Sequence, residues 1–203
     1  MVVVTYLYSV CLQVLISIYG DRMTELQSRN MISKICLVGD PEVGKTSLMR
    51  RFVLNQFDAD YIMTMGAKVM KKVVTLEKDG QPCDVTMLVW DVMGQKHFRI
   101  IESVAFENVV GGLVICDLTR RSTFENLEYW IEAVHKISPG IPMILLANKS
   151  DLLEDRQVSD DELKQLADKF AIAWFLTSAK TGDNVENAYI TLAEYCLRGA
   201  NNE

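Results

Sequence analysis

The sequence has few of the residues that build disulfide or zinc frameworks. Its 203 residues include two histidines and five cysteines, and no two cysteines form a C-x-x-C pair. Several of the cysteines lie in apolar runs; they are Cys11, Cys36, Cys83, Cys116 and Cys196. This pattern predicts buried, reduced thiols and disfavours both a disulfide framework and a zinc site.

Basic charge is also scarce. The chain carries 21 lysines and arginines against 27 aspartates and glutamates, so its formal net charge is -6. A negative balance argues against a general nucleic-acid surface, and we expect no nucleic-acid partner. The length suits one domain with a sizeable core, and we expect a cytoplasmic monomer.

Charge is absent altogether from the N-terminal segment between Val2 and Tyr19, which spans 18 positions. That length is the lower limit of a membrane-span signal. A signal peptide is disfavoured because no basic region precedes the apolar one. The polar residues recur every fourth position, which would place them on one slowly drifting stripe of a helix; they are Thr5, Ser9, Gln13 and Ser17.

Three interpretations of this segment remain open. It could contact a membrane, it could precede the true start at Met23 or Met31, or it could be an extra element packed on the domain. We expect neither prenylation nor N-myristoylation, because no cysteine of this sequence lies at a prenylation position and Val2 is not the glycine that myristoylation requires. If the protein reaches a membrane, we therefore expect residues 2–19 or a partner to take it there.

The most specific feature that is present is a glycine loop between a predicted strand and a predicted helix. Residues 39–46 read G-D-P-E-V-G-K-T, which matches the phosphate-loop pattern G-x-x-x-x-G-K-[ST]. The backbone N–H groups of such a loop bind a polyphosphate. Lys45 would reach the β- and γ-phosphates, and the Thr46 hydroxyl would bind Mg²⁺. The candidate nucleotide contacts are Asp40, Pro41, Glu42, Val43, Gly44, Lys45, Thr46 and Ser47.

A second motif indicates the base. The apolar run at 142–147 ends in N-K-S-D. Asp151, at a strand end, can accept bonds from the guanine N1 and 2-amino groups, and adenine offers neither donor there. Asn148 suits the guanine O6/N7 edge, and the Lys149 stem can lie on the ring. The segment after the last predicted strand adds backbone N–H groups for the base O6, at Ser178, Ala179 and Lys180.

A third motif lies between the other two. A predicted strand at 84–91 ends in Asp91, which is placed to hold Mg²⁺ through a water molecule. Gly94 could bring a backbone N–H close to the γ-phosphate, and Gln95 can orient a water for in-line attack. The catalytic candidates are therefore Gln95 and Lys45.

In this order, the motifs resemble those of the Ras superfamily of small GTPases, and the Rab branch most closely. The resemblance covers about residues 31–198, which we predict to be one GTPase domain; residues 1–30 would be the apolar segment with a linker, and 199–203 a short tail. It implies an α/β phosphate-loop NTPase fold: a six-stranded, mostly parallel sheet with one antiparallel edge strand and helices on both faces.

The resemblance also implies roles for two residues that lie outside the three motifs. Thr64 would be the switch I threonine, whose hydroxyl meets Mg²⁺ and whose N–H meets the γ-phosphate. Phe57 would pack edge-on against the guanine. Effector and regulatory proteins would bind through the switch regions.

The chain departs from the family pattern at several positions. Family members usually have small residues where this chain has Pro41 and Glu42. Pro41 removes an N–H donor. The position of Glu42 favours glycine, because we expect its backbone to have a positive φ. A Glu there predicts either strain or an adjusted loop, and it adds negative charge near the phosphates. In switch II, Val92, Met93 and Lys96 replace Thr, Ala and Glu.

Hydrophobic patterning predicts an alternating order of elements. Strands are expected near 32–38, 68–76, 84–91, 111–117, 142–148 and 173–178. Helices are expected near 45–54, 97–107, 122–137, 160–170 and 184–197. Residues 78–81 predict a hairpin between the second and third strands.

Local signals refine the helices. Ser122 with Glu125, and Ser159 with Glu162, read as capping boxes that open two helices. The predicted inner face of the last helix consists of Val185, Ala188, Tyr189, Leu192 and Cys196.

We therefore expect a molecular switch that binds GTP and GDP with Mg²⁺ and hydrolyses GTP slowly when alone. The alternative is a GTP-binding interaction module with negligible hydrolysis. An adenylate kinase-like phosphotransferase is a remote third hypothesis, which Asp151 and the missing lid argue against.

Overall fold

The computed structural model of the chain describes residues 31–57, 67–92 and 106–199, which form a six-stranded sheet. The strands are β1 (Met31–Val38), β2 (Ala67–Lys78), β3 (Gln81–Val92), β4 (Gly111–Asp117), β5 (Met143–Asn148) and β6 (Ala173–Thr177). Their order across the sheet is β2-β3-β1-β4-β5-β6. Only β2 runs antiparallel to its neighbour, and it lies at an edge. The predicted fold class is confirmed.

Helices cover both faces of this sheet. They are α1 (Lys45–Leu54), α2 (Arg121–Glu125), α3 (Leu127–Ile137), α4 (Asp160–Phe170) and α5 (Val185–Gly199), with a 3₁₀ turn at Leu153–Asp155. Side chains of α1 and α5 pack in one apolar core, and side chains of α3 and α4 pack in a second core. The five residues predicted for the inner face of the last helix are all buried. The helix predicted near 97–107 lies largely outside the described residues.

The central strands explain how one sheet divides two cores. On β1, Ile35 and Leu37 belong to one core, whereas Cys36 and Val38 belong to the other, as the alternation of side chains along a strand requires. Both β4 and β5 are buried along their whole length. Parallel strands covered on both faces need such continuous apolar runs, and this is what the sequence supplies.

The predicted hairpin joins β2 to β3. Lys78 pairs with Gln81, and the two residues between them, Asp79 and Gly80, have φ of 55° and 74°. Positive φ at both central positions is typical of a two-residue type I′ turn, which matches the twist of the flanking strands.

One of the two predicted capping boxes is confirmed and the other is wrong. Ser159 caps α4, accepting from the Glu162 N–H while the Glu162 side chain accepts from the Ser159 N–H. Ser122 instead lies inside the first turn of α2, which begins at Arg121. A capping box would need the Glu125 carboxylate to accept from the Ser122 N–H. That carboxylate instead lies 3.3 Å from the Arg121 guanidinium.

The helix predicted over 122–137 is divided by Asn126 into α2 and α3. The side-chain amide of Asn126 donates a 2.6 Å hydrogen bond to the carboxylate of Asp40 in the phosphate loop. A sequence pattern of helical period cannot show this long-range bond, which ties the junction of the two helices to the loop.

The cysteine prediction holds within the described part of the chain. Four cysteines there are buried and free of disulfides, and they are Cys36, Cys83, Cys116 and Cys196. Cys11 lies outside the described residues.

Candidate functional site

The motif residues meet at one edge of the sheet. Gly39 directly follows β1, Asp91 lies near the end of β3, Asn148 ends β5, and Ser178 directly follows β6. These four strands are parallel, so their carboxyl ends share an edge, and open α/β sheets bind ligands there. The structure therefore brings the described residues of the three motifs together.

Two glycines allow the phosphate loop to pack closely. A Cβ on Gly39 would stand 2.2 Å from the Ile115 carbonyl oxygen, and Gly39 has φ of 139°. A Cβ on Gly44 would stand 2.2 Å from the Asn148 amide nitrogen, and Gly44 has φ of 97°. Both positions therefore require glycine on steric and conformational grounds.

Lys45, the first residue of α1, crosses the loop that precedes it. Its ammonium donates 2.8 Å hydrogen bonds to the backbone carbonyls of Gly39 and Asp40. Burial lowers the pKa of Lys45 to about 8, against the opposing effect of the Asp91 and Asp40 carboxylates, which raise it. A buried ammonium of this kind is a ready partner for a polyphosphate.

The next residue, Thr46, touches the acid at the end of β3. The Thr46 hydroxyl donates a short hydrogen bond to the carboxylate of Asp91, which is fully buried. A hydroxyl and a carboxylate are hard oxygen ligands, so this pair fits Mg²⁺.

Asn148 joins the phosphate loop to the loop that follows β6. Its side-chain nitrogen donates a 2.8 Å hydrogen bond to the Val43 carbonyl, and its side-chain oxygen accepts a 3.2 Å bond from the Ala179 N–H. Asn148 is buried. The sequence indicated that Asn148 and Ala179 face a base, but it gave no sign of this bond between them.

Asp151 is oriented by the same loop. The Ser178 hydroxyl donates a 2.7 Å hydrogen bond to one carboxylate oxygen of Asp151, and the Lys180 ammonium lies 3.9 Å from the other. The Ser178 hydroxyl in turn accepts a 3.1 Å bond from the Thr181 N–H. The carboxylate predicted to select guanine is therefore fixed by two further predicted site residues.

Asp117 is a member of this site that the sequence reasoning missed. Its buried carboxylate lies 2.6 Å from the Lys149 ammonium and accepts bonds from the Thr119 N–H and hydroxyl and from the Arg120 guanidinium. Burial raises the pKa of Asp117, but the bonds from Lys149 and Thr119 outweigh it, so the pKa lies below its ordinary value. An acid that ends a fully apolar strand is the signal that could have identified it.

Pro41 and Glu42 shape the rim of the phosphate loop. Glu42 has φ of 64°, so the expected positive φ is confirmed at this position. A non-glycine residue in the left-handed region is conformationally costly. Arg120 reaches this rim, with its guanidinium 2.7 Å from the Pro41 carbonyl and 3.8 Å from the Glu42 carboxylate.

The side chain of Asp40 contacts α3 and is therefore not the part of this residue that would bind a phosphate. Its two carboxylate oxygens accept a 2.8 Å bond from the Trp130 indole N–H and a 2.6 Å bond from the Asn126 amide. Both donors belong to the start of α3, so the Asp40 side chain ties the loop to that helix. A nucleotide contact of Asp40 would therefore come from its backbone.

Comparison with known proteins agrees with this geometry. A sequence model of the Ras family matches residues 34–198. The chain belongs to the Ras family. It is 37% identical over 161 residues to "Ras-related protein Rab-8A" of Gallus gallus, covering 79% of this chain and 76% of that relative. It is 33% identical over 162 residues to "Ras-related protein RABA4b" of Arabidopsis thaliana, covering 79% and 70%. Rab-named relatives support a Ras-family GTPase close to the Rab branch.

Several residues predicted for this Ras-family site lie outside the described part of the chain. They are Thr64, Gly94 and Gln95, and their predicted roles stay predictions. Phe57 is described and is 42% exposed. Residues 2–19 also lie outside, and every helix within residues 31–57, 67–92 and 106–199 is too short or too polar to span a bilayer.

Proposed function

We propose that this Ras-family protein is a switch that binds GTP and GDP together with Mg²⁺ and hydrolyses GTP slowly when alone. The observation that carries the proposal is the double contact of Asn148. One buried amide holds the phosphate loop at Val43 and the predicted base loop at Ala179. A ligand with a base at one end and phosphates at the other would span the groups that this amide connects.

Guanine selectivity is assigned to Asp151. Its carboxylate, held by Ser178, would accept the guanine N1 and 2-amino N–H groups. Adenine would leave this acceptor without those donors, and a polar group left unpaired in a site costs binding energy. Lys149 would lie on the ring, and Phe57 would pack against its edge.

The proposed metal ligands are Thr46, Asp91 and Thr64. The contact between the Thr46 hydroxyl and the Asp91 carboxylate supports the first two. When bound, Mg²⁺ would neutralise negative charge on the phosphates. Lys45 would give the β- and γ-phosphates a second cation from its position across the loop.

Hydrolysis is assigned to a water molecule oriented by Gln95. That water would attack the γ-phosphorus, the bond from γ-phosphorus to the β–γ bridging oxygen would break, and GDP and phosphate would leave. We propose a slow rate because Pro41 removes an N–H donor from the loop and Glu42 adds negative charge near the phosphates. Pro41 would also crowd the space that an arginine from an activating protein would use, which would limit stimulation by such a protein. Negligible hydrolysis by a GTP-binding interaction module is the alternative.

The switch itself would act through residues near the γ-phosphate. With GTP bound, Thr64 and Gly94 would hold both switch regions for effector and regulatory proteins, and loss of the phosphate would release them. We propose that the protein does this as a monomer.

We further propose that residues 2–19 attach the protein to the cytosolic face of a membrane. The proposal rests on the 18 uncharged positions and on Arg22, Arg29 and Lys34, which follow them as the positive-inside rule would have it. The polar stripe suits a helix that lies on the membrane surface, and it equally suits a helix that spans the membrane and packs against a partner.

Single-turnover hydrolysis of radiolabelled GTP, with and without Mg²⁺, tests the proposed function, and ATP serves as the matched control. We expect slow, Mg²⁺-dependent release of phosphate from GTP and none from ATP. Tight GTP binding without phosphate release would favour the interaction module. Equal binding of GTP and ATP would contradict both hypotheses.

A further inference from the structure

The Arg120 guanidinium links two parts of the site that no sequence motif connects. One terminal nitrogen donates a 2.7 Å hydrogen bond to the Pro41 carbonyl, and the other lies 3.8 Å from the Glu42 carboxylate. The inner nitrogen donates a 3.0 Å bond to the Asp117 carboxylate. The planar fork of an arginine can make these three contacts at once, and a lysine ammonium is too compact to do so.

Two features of the loop rim are unfavourable for phosphate binding, and a nearby cation would offset them. Pro41 has no N–H to offer a phosphate. Glu42 adopts φ of 64° and adds a carboxylate to the loop that is proposed to bind phosphates. The negative charges of that carboxylate and of the phosphates would repel one another, and a guanidinium between the loop and β4 would reduce the repulsion.

Arg120 is itself held in place. Asp117, its anchor, is buried and also binds the Lys149 ammonium at 2.6 Å. Lys149 is a predicted base contact, so one carboxylate positions a residue at the base end of the site and a residue at the phosphate end. This anchoring limits the conformations that Arg120 can adopt away from the loop.

We propose that Arg120 is a positioning residue of the phosphate loop, which fixes the Pro41–Glu42 peptide and offsets the Glu42 carboxylate so that nucleotide phosphates are accepted. The inference rests on the proposed binding of guanine nucleotides at this site. Arg120 lies outside all three motifs. In this proposal it makes Pro41 and Glu42, which are unusual for the loop, compatible with nucleotide binding.

The test is the dissociation rate of N-methylanthraniloyl-GDP from the full chain, measured by fluorescence with excess unlabelled GDP. We expect Arg120→Ala to speed dissociation about tenfold, since it removes hydrogen bonds that involve a charged group. Arg121→Ala is the matched control. Arg121 contacts Gln157, Glu125 and Glu162 rather than the loop, so its change should stay within about twofold.

A double-mutant cycle distinguishes charge offset from a merely structural role. In a Glu42→Gln background, which removes the charge but keeps a side chain at this positive φ, Arg120→Ala should speed dissociation by only about threefold, because the carboxylate to be offset is gone. Raising the salt concentration should narrow the gap between the parent and Arg120→Ala. Arg120→Lys, which keeps the charge but loses the fork, should give an intermediate rate and provides a second variant if Arg120→Ala folds poorly.

Two outcomes would overturn the inference alone. One is equal GDP dissociation from the parent and from both Arg120 variants; the other is an Arg120→Ala effect that is the same in the parent and in the Glu42→Gln background. If the unmodified chain bound no guanine nucleotide, the proposed function would fail first, and the inference with it.

Discussion

The amide nitrogen of Asn148 lies where a side chain on Gly44 would have to go, 2.2 Å from the position of a Cβ atom. The guanine motif and the phosphate loop are therefore in direct steric contact. A residue in one motif dictates which residue the other can contain.

Gly44→Ala should consequently abolish nucleotide binding. The substitution forces Asn148 away from the Val43 carbonyl and also strains the backbone at φ of 97°. Gly140→Ala is the control, because Gly140 has φ of 75° but no atom within 4 Å of a new Cβ. Titration with fluorescent GDP should show no saturation for Gly44→Ala and parental affinity for Gly140→Ala, with a stability loss of about 1 kcal/mol for the control. Similar GDP affinity in both variants would contradict this explanation.

Asp151→Asn should change which base is bound. The amide can donate to the O2 of xanthine but cannot accept both guanine N–H groups, so affinity should shift from GTP to xanthosine triphosphate by about a hundredfold or more. Asp155→Asn, at an exposed acid a few residues later, should leave selectivity unchanged. Competition titrations with both nucleotides measure the shift. An Asp151→Asn protein that still prefers GTP would refute the assigned role.

Gln95→Leu should slow single-turnover GTP hydrolysis by about 10- to 100-fold while GTP affinity stays nearly constant. A group that only positions the attacking water stabilises the transition state more than the bound ground state. Rapid mixing with radiolabelled GTP, followed by separation of phosphate, gives the rate. Parental hydrolysis by the variant would mean that Gln95 is a passive turn residue.

Asp117→Asn should make stability less dependent on pH in the acid range. The folded-state pKa of Asp117 is lowered, so its ionised form contributes stability above the unfolded-state pKa, and that contribution is lost as pH falls through the folded-state pKa. Lys149, Arg120 and Thr119 face the carboxylate, and the bonds from Lys149 and Thr119 lower its pKa against the opposing effect of burial. At pH 7 the variant should be less stable by about 1–3 kcal/mol.

Urea unfolding of Asp117→Asn and the parent at pH 7, 5, 4 and 3 measures that difference. The gap between the two free energies of unfolding should be constant down to about pH 5 and should shrink below about pH 4. A gap that is the same at every pH would assign the effect to packing rather than to ionisation.

Flotation with liposomes tests the N-terminal segment. The full chain should float with the lipid, and a chain that begins at Met23 should stay in the dense fraction, because it lacks the uncharged residues 2–19. Each protein is loaded with GDP and with a non-hydrolysable GTP analogue. Flotation in both states would indicate a permanent anchor, and flotation in one state a segment released by the switch. A full chain that never floats would rule out the anchor.

The sequence predicts most of this fold because its signals are local. Asp79 and Gly80 mark a hairpin that needs only two positive φ values, and β1 displays its two core faces through simple alternation. The three motifs could be assigned to one sheet edge because parallel strands place their carboxyl ends together. The hydrogen bond between Thr46 and Asp91, which were each predicted separately to hold Mg²⁺, is consistent with that rule.

Most of what the sequence did not predict depends on bonds between distant residues. The failed cap is the exception: α2 begins at Arg121, one residue before Ser122, so Ser122 lies inside the helix. The helix divides at Asn126, whose side-chain amide donates to the Asp40 carboxylate. Arg120 contacts Pro41 across 79 positions of sequence, so no window of neighbouring residues could reveal it. Such contacts depend on how β4 and the phosphate loop are brought together by the sheet.

The buried thiols have a practical consequence for spectroscopy. Burial raises the pKa of Cys36, Cys116 and Cys196 to about 12, so these thiols stay protonated near neutral pH and react poorly with maleimides. Cys83 is also enclosed, at 3% exposure, and a chain that begins at Met23 lacks Cys11. A single cysteine introduced at an exposed position would then carry a dye without competing labels, and dye pairs across the nucleotide site could report conformational exchange in individual molecules.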